Sequence, residues 1–447
     1  MLNLGRHNRA GLRRRPPADA HGTAWQQSPL LRPLTDRGLH WILGLALLTR
    51  FVVCIVCWKA PDVLQTKLTP RYLALSDSLI TRYSFSDHPF GMQPSTDLPP
   101  AFAVWASVIR LAFGDSPNTL ALTQALLGML TCGLVYLTAH ALIGATGAVV
   151  AGALFALAPT VVTSSLLFSH EGLYAFCLML AAWALLQAFV HDYGWAWAAG
   201  GAALGLAALT WADALWFGAV VVMGYAAWRR GRRPARWRRF VMFPLMFALV
   251  AGAWVARNAR VTGRAEFVSS DATAPNAGAG PRREAGAGAI VRPGRLEEAR
   301  LWFGSAWDAL NEPESVVSHT LLDIVFPEAN SRRFLKSLHD DTSRLFQWLV
   351  LLFAVVGAIH HRSWREGLAW WGPMAWLAFF ALFVSPDRSG PANRYILLPA
   401  FFVLAAREFC LYWPWIKKRQ RRSPSQYGWV VHAGPVIESS EIGGVEP

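Results

Sequence analysis

GLVYLTAHALIGATGAVVAGALFALAPTVV, residues 133–162, decides the fold, because this whole stretch contains no Asp, Glu, Lys or Arg. It joins two apolar runs, 118–140 and 143–163, each close to the roughly 20 residues that a membrane-spanning helix requires. Runs of the same kind lie at 39–58, 172–190, 195–211, 212–228, 240–256, 346–360, 367–385 and 393–413. The sequence therefore predicts an all-α polytopic membrane protein with about ten transmembrane helices.

The composition supports a protein surrounded by lipid. The 447 residues are 54% hydrophobic and include 22 tryptophans, whereas only 16% are charged, which argues against a soluble globule. All five cysteines lie in predicted spans, so neither a disulfide framework nor a zinc site is indicated. We expect no metal and no cofactor.

The formal net charge of +14 has a topological explanation. The basic residues collect at 229–239, 360–365, 417–422 and in the N-terminal tail. With the N-terminus inside and about ten crossings, all four clusters fall on the cytoplasmic side, as the positive-inside rule requires. Nucleic acid is therefore not an expected partner. We expect a multi-pass protein of the cell membrane, a bacterial inner membrane, with its active face in the periplasm.

This threading divides the chain into five parts. They are a disordered basic cytoplasmic tail (1–38), seven spans with an outer loop at 59–117 (39–256), an outer segment (257–345), three spans (346–413) and a cytoplasmic tail (414–447). Within the outer segment, 271–295 is rich in Gly, Ala and Pro and is expected to be mobile, either as a loop that covers substrate or as a passive linker.

The outer loop is expected to contain two short helices. In RYLALSDSLITRY, 71–83, one face carries Tyr72, Leu75, Leu79 and Tyr83, and the wetter side carries Arg71, Ser78 and Arg82. The run 101–113 is too short to cross a bilayer, so we expect it to lie at the interface.

Arginines stand at the outer ends of two predicted spans, where the positive-inside rule gives no reason for them. They are Arg257, Arg260, Arg388 and Arg394. Forked, charge-assisted bonds to a phosphate or pyrophosphate would explain these arginines, and snorkelling to lipid headgroups is the alternative.

Polar residues also stand at the outer lip of the fourth span. His170 and Glu171 lie there, and Asp213 lies at the neighbouring turn. Such carboxylates either orient a sugar hydroxyl or cap a helix, and both readings stay open. Arg50 lies inside the first span, where a charge normally faces a partner or a water-filled cavity, and Asp213 and Glu171 are within reach as candidate partners.

Several stretches taken in order resemble a known family. They are RYLALSDSLITRYSFS (71–86), GLVYLTAHALIGATGAVVAGALFALAPTVV (133–162), SHEGLYAF (169–176), GLAALTWADAL (205–215), WVARNARVTGRAEFVSS (254–270) and NRYILLPAFFVLAA (393–406). Over about residues 39–410 the chain resembles GT-C-fold membrane glycosyltransferases that take a sugar from a polyprenyl phosphate. These include dolichyl-phosphate-mannose protein mannosyltransferases and lipid A aminoarabinose transferases.

The resemblance implies an inverting sugar transfer. A carboxylate of the first outer loop would act as general base on an acceptor hydroxyl or amine, while the lipid phosphate leaves the anomeric carbon. Arg257, Arg260 and Arg394 match the family's outer arginines, and Glu171 matches its acidic residue. Substrate binding is further expected at Arg388, His170, Asp213 and Tyr72. The implied partners are a polyprenyl-phosphate-linked sugar donor, a glycan, lipid or protein acceptor, and membrane lipid.

The chain departs from the family's pattern just before Tyr72. Relatives usually carry a carboxylate there, but this chain reads KLTPRY, 67–72. The base is therefore sought among Asp62, Asp87 and Asp97, with a small preference for Asp62 over Asp97. Two other readings are a transporter or flippase of lipid-linked substrates, expected to show two related halves with broken helices, and a non-catalytic member of the fold.

Overall fold

The structure, a computed structural model, describes residues 35–66, 68–87, 94–191, 193–228 and 235–268, together with 336–337, 402–403 and 405–406. Within these ranges it contains helices and no strand. A short 3₁₀ turn lies at Pro61–Leu64. The helices are α1 (Arg37–Cys57), α2 (Thr69–Arg82), α3 (Ala101–Phe113), α4 (Pro117–Leu157), α5 (Pro159–Ser164), α6 (His170–His191), α7 (Gly194–Thr210), α8 (Ala214–Trp228), α9 (Ala235–Phe240) and α10 (Met242–Thr262).

Helix α4 is a hairpin of two antiparallel helices. Gly144 interrupts it with φ 81° and ψ 177°, a conformation that glycine adopts without strain. Twenty residues of straight helix would separate Cys132 from Gly152 by about 30 Å, yet the Cys132 Sγ lies 3.4 Å from the Gly152 carbonyl oxygen. The chain therefore reverses near Gly144, between the two predicted spans 118–140 and 143–163.

Four of the described helical stretches are long and apolar enough to cross a membrane, and one of them is the α4 hairpin. They are Arg37–Cys57, Pro117–Leu157, His170–Phe189 and Trp237–Thr262. Helices α7 and α8 are shorter, with 17 and 15 residues. The prediction of an all-α polytopic membrane protein is confirmed for the described part of the chain, but the count of ten spans is not. The spans predicted at 346–360, 367–385 and 393–413 lie outside the described residues, except for four buried residues at 402–403 and 405–406.

The polar first loop and the basic helix α9 lie at opposite ends of the bundle. Helices α2 and α3 pack where α1, α7 and α10 end and where α4 and α6 begin. We call this the loop end. The opposite end carries the reversal at Gly144 and helix α9 with Arg238 and Arg239. The predicted threading, and with it the side of the membrane that each end faces, stays a prediction.

The first loop folds nearly as predicted, with two corrections. Helix α3 has the predicted bounds, but α2 ends at Arg82, so Tyr83 leaves the helix in the left-handed conformation (φ 53°) and is 92% exposed. Tyr83 therefore does not continue the apolar face of Tyr72 and Leu75. Ser78 is buried instead of wet, and its hydroxyl lies 2.9 Å from that of Ser84, beyond the end of the helix.

Candidate active site at the loop end

The segment after α2 brings two aspartates together. The Ser95 N–H donates to the Phe85 carbonyl oxygen at 2.8 Å, so two stretches of the loop lie side by side. Asp87 and Asp97 each follow two residues further along these stretches. Both carboxylates lie within hydrogen-bonding distance of Arg71, although the sequence separates them by ten positions.

Arg71 binds both carboxylates. Its Nε and Nη2 donate to Asp87 Oδ2 at 3.1 and 2.7 Å, and the same Nη2 donates to Asp97 Oδ2 at 3.2 Å. Burial acts to lower the pKa of Arg71, but the bonds and charges of the two aspartates outweigh it and raise that pKa. The side chains of Arg71, Asp87 and Asp97 stay 41%, 27% and 38% exposed, so the cluster is open to solvent and to a substrate.

Arg257, from the last turns of α10, fastens the same loop from the other side. Its Nη1 donates to the Ser95 carbonyl at 2.8 Å, and its Nη2 donates to the Phe85 carbonyl at 3.4 Å. The guanidinium also lies over the Trp254 ring, 4.7 Å from its centroid. Arg71 and Arg257 therefore hold the same loop at nearby positions. Arg257 binds backbone carbonyls of the loop, whereas Arg71 binds its aspartate side chains.

If Arg257 binds a phosphate as expected, it does so while Nη1 and Nη2 are bonded to the loop. Among the described residues, the Arg257 Nε–H has no hydrogen-bond partner, so this nitrogen remains available to an anion. Arg260, three residues further along α10, is exposed. Arg388 and Arg394 lie outside the described residues.

An aromatic cluster with polar groups adjoins the loop. The His170 ring stacks on Trp211 at 4.3 Å with an interplanar angle of 11°, and it lies 5.7 Å from the ring of Tyr72. Trp211 Nε1 donates to Asp213 Oδ2 at 3.1 Å. These contacts bring the beginnings of α2 and α6 and the end of α7 together, so Tyr72, His170 and Asp213 lie in one cluster.

Glu171 is buried next to this cluster. Its Oε2 accepts a hydrogen bond from the Ser169 hydroxyl at 2.7 Å. Burial raises the pKa of Tyr72, and the negative charge of Glu171 raises it further. The hydroxyl of Tyr72 has no hydrogen-bond partner among the described residues. Glu171 and Tyr72 thus form a polar patch inside an otherwise apolar packing.

Asp62, the preferred base, stands on the 3₁₀ turn that precedes α2. It is exposed, and its Oδ1 accepts from Gln65 Nε2 at 2.6 Å. Two residues on, the Leu64 carbonyl accepts from the Phe168 N–H at 2.8 Å, so this turn also belongs to the loop end. Among the described residues, the hydrogen-bond partner of the Asp62 side chain is therefore Gln65 and not Arg71.

Arg50 is completely buried in α1, and its described hydrogen bonds go to a hydroxyl and a backbone carbonyl. Its Nε donates to the Ser165 hydroxyl at 2.9 Å, and its Nη1 donates to the Ala46 carbonyl at 3.0 Å. These bonds tie α1 to the turn that leads into Ser169 and Glu171. In the described part of the chain, no cluster of three or more His, Cys, Asp or Glu residues could hold a metal ion.

Sequence reasoning missed Arg71 as the partner of the two aspartates. It placed Arg71 on the wet side of a surface helix, which the exposure confirms, but it offered no partner. The pairing depends on the path of the loop, and that path is set by Arg257, more than 160 positions away from Ser95 and Phe85. No local pattern in the sequence signals it.

Part of the sequence and the fold are similar to those of known proteins. Residues 97–256 match the family model "Dolichyl-phosphate-mannose-protein mannosyltransferase". The fold is similar to that of the Archaeoglobus fulgidus oligosaccharyltransferase, with a TM-score of 0.53 at 15% identity, over 87% of this chain and 51% of that one. It is also similar to ArnT from Cupriavidus metallidurans, with a TM-score of 0.41 at 16% identity, over 82% of this chain and 76% of that one. No curated protein matches the sequence.

The chain thus spans about half the length of the oligosaccharyltransferase. The family match begins at Asp97 and ends at Ala256, so it runs from the aspartate bound by Arg71 to the residue before Arg257. The resemblance drawn from the sequence is supported over part of the chain: residues 97–256 match the dolichyl-phosphate-mannose-protein mannosyltransferase model, and the fold of this membrane protein is similar to that of the oligosaccharyltransferase.

Proposed function

We propose that the protein transfers a sugar from a polyprenyl-phosphate donor to a glycan, lipid or protein acceptor, with inversion at the anomeric carbon, on the periplasmic face of the inner membrane. One observation carries this proposal. The aspartates of the first loop and an arginine at the end of α10 meet at one end of the helical bundle, because Arg257 bonds the carbonyls of Ser95 and Phe85.

The chemistry needs a base and an anion site close together. In the proposed step a carboxylate of the first loop takes the proton from the acceptor O–H or N–H. The freed electron pair forms the new bond to the anomeric carbon, while the bond from that carbon to the phosphate oxygen breaks. The polyprenyl phosphate leaves with the bonding electrons and an additional negative charge.

Guanidinium groups are suited to the leaving phosphate. A planar fork stabilises a phosphate by two parallel charge-assisted bonds, and the stabilisation grows as charge develops on the leaving oxygen. Arg257 and Arg260 occupy the end of the bundle where the loop carboxylates lie, and we assign the phosphate to them and to the family-matched Arg394. The name of the matching family, which includes a dolichyl-phosphate sugar, supports a donor of this chemical class.

The buried polar groups at the loop end are assigned to the sugar. An aromatic stack with a neighbouring carboxylate suits a sugar ring, which offers apolar C–H faces and hydroxyl groups. His170 on Trp211, with Asp213 and Glu171 close by, supplies both features.

The test is a donor assay in membranes of the native host, which contain the acceptor. Radiolabelled mannose, glucose, galactose and aminoarabinose are supplied on undecaprenyl and dolichyl phosphate, and transfer and phosphate release are followed with and without the gene. We expect gene-dependent transfer from at least one donor. We also expect that Asn at Asp62, Asp87 or Asp97 abolishes it at one position. No gene-dependent transfer from any donor would overturn the proposal and leave the transporter or non-catalytic reading.

A further inference from the structure

We propose that Arg71 is a positioning residue that divides the work between two aspartates, so that Asp97 acts as the general base and Asp87 braces Arg71. This inference rests on the proposed function. It assigns the base that the sequence left open among three carboxylates.

The first step of the argument is the unequal bonding of the two carboxylates. Asp87 receives two bonds from the guanidinium, at 3.1 and 2.7 Å, whereas Asp97 receives a single, longer one at 3.2 Å. Two bonds fix the direction of the Arg71 fork, and charge-assisted bonds at such short distances are the strong ones. Asp87 therefore serves mainly to hold Arg71 in place.

The second step is the availability of Asp97. The Arg71 bond uses Oδ2, and Oδ1 of Asp97 has no hydrogen-bond partner among the described residues. The Asp97 side chain is 38% exposed, compared with 27% for Asp87. An acceptor hydroxyl can thus reach Asp97 Oδ1 while Oδ2 stays bonded to Arg71, which holds the carboxylate in a fixed orientation for the proton.

The third step is the charge of the cluster. One guanidinium faces two carboxylates, so Arg71 can neutralise only one of the two negative charges. The more tightly bound Asp87 takes the larger share, and the remaining negative charge resides mainly on Asp97, where a proton is to be accepted. No described arginine binds Asp62, because its side-chain hydrogen bond comes from Gln65, three residues along the chain.

The placement of this cluster is also fixed from the backbone. The Ser95 and Phe85 carbonyls that Arg257 binds lie two residues before Asp97 and Asp87. Arg71 itself directly precedes Tyr72. It binds carboxylates from further along the loop.

The test compares single and double variants in the donor assay. We expect Asp97→Asn to lower kcat by roughly 10²–10⁴-fold, the usual contribution of a general base. Asp87→Asn and Arg71→Gln are expected to lower kcat about tenfold each and to leave the KM for donor unchanged. The double variant D87N/R71Q should be no worse than R71Q alone, because both changes remove the same brace. Arg71→Lys should recover only part of the activity, since an ammonium lacks the fork.

Asp115→Asn is the matched control. Asp115 is also held by two bonds from one arginine, Arg110, at 2.7 Å each, but it lies between α3 and α4 and outside the candidate site. It should leave kcat unchanged. Full activity of Asp97→Asn, a double variant whose losses multiply, or an equal loss in the Asp115→Asn control would each overturn the inference, even where wild-type transfer upholds the proposed function.

Discussion

At the scale of single residues, the guanidinium of Arg257 has two roles. It holds the first loop through Nη1 and Nη2, and its Nε–H is left for an anion. A lysine provides a point charge without a planar fork, so it cannot bond the Phe85 and Ser95 carbonyls and a phosphate together. We expect Arg257→Lys to raise the donor KM about tenfold, with little change in thermal stability. Hydrogen exchange at the amides of 83–87 and 95–98 should rise several-fold.

Arg260→Lys is the control for the loop measurement, because Arg260 lies on the same helix and is exposed. Its substitution should leave amide exchange in the loop at the wild-type rate. If Arg257→Lys leaves both the donor KM and the loop exchange unchanged, Arg257 has neither role.

A second residue-scale prediction concerns pH and the pair formed by Arg110 and Asp115. The hydrogen bond from Arg110 lowers the pKa of Asp115 below its ordinary value, and burial only partly opposes this shift. A carboxyl whose folded pKa is depressed adds stability above its unfolded pKa, about 4, and this stability is lost as the pH falls through the folded value. Because Asp115 is 73% exposed, the pair is expected to contribute less than about 1 kcal/mol.

The measurement is the difference in thermal unfolding midpoint between the wild type and Asp115→Asn in detergent. We expect the wild type to be about 1–3 °C more stable at pH 7 and the difference to vanish near pH 2. A difference that persists at low pH would show that Asp115 contributes by its hydrogen bonds or packing and not by its charge.

At the scale of elements, the contact between α7 and α10 depends on two glycines four residues apart. A Cβ at Gly201 would overlap the backbone carbonyl oxygen of Phe243, and a Cβ at Gly205 would lie 2.8 Å from the Cβ of Val250. Small residues at this spacing let helix backbones approach closely within a membrane. Helix α10 carries Arg257, so this contact also sets the position of the first loop.

We therefore expect Gly201→Ala to destabilise the fold by about 1–3 kcal/mol, the usual cost of overpacking, because a backbone atom cannot rotate away. Gly252→Ala in α10 is the control, since nothing lies within 4 Å of its added Cβ. The measurement is the unfolding midpoint of both variants in detergent. Equal stability of the two variants would contradict the close approach of α7 to α10.

Elements of this fold were predictable where the deciding forces are local. Helix α3 begins and ends at the predicted residues, because an apolar run between Pro100 and Gly114 defines a helix without help from distant parts of the chain. The end of α2 was missed by one residue, which placed Tyr83 wrongly. The pairing of Arg71 with Asp87 and Asp97 could not be predicted, because the path of their loop is set by Arg257 on a distant helix.

At the scale of the whole molecule, the alternation of helix directions gathers the candidate site at one end. Helices α1, α7 and α10 end where α2 and α3 pack, whereas α4 reverses at Gly144 on the opposite side of the bundle. This arrangement explains how a loop at 83–100 and a helix end near Arg257 come to share one site.

The last prediction tests this sidedness directly by labelling single cysteines from each side of the membrane. In a cysteine-free background, Cys replaces the exposed Tyr83 or Ala265 at the loop end, and the exposed Ala145 or Arg238 at the opposite end. An impermeant maleimide should label the first two in intact spheroplasts and the other two only in inverted vesicles, because basic clusters stay in the cytoplasm. Labelling of Tyr83→Cys and Ala265→Cys from different sides would separate Arg257 from the loop aspartates. The proposed phosphate site and the base could then not take part in one transfer reaction.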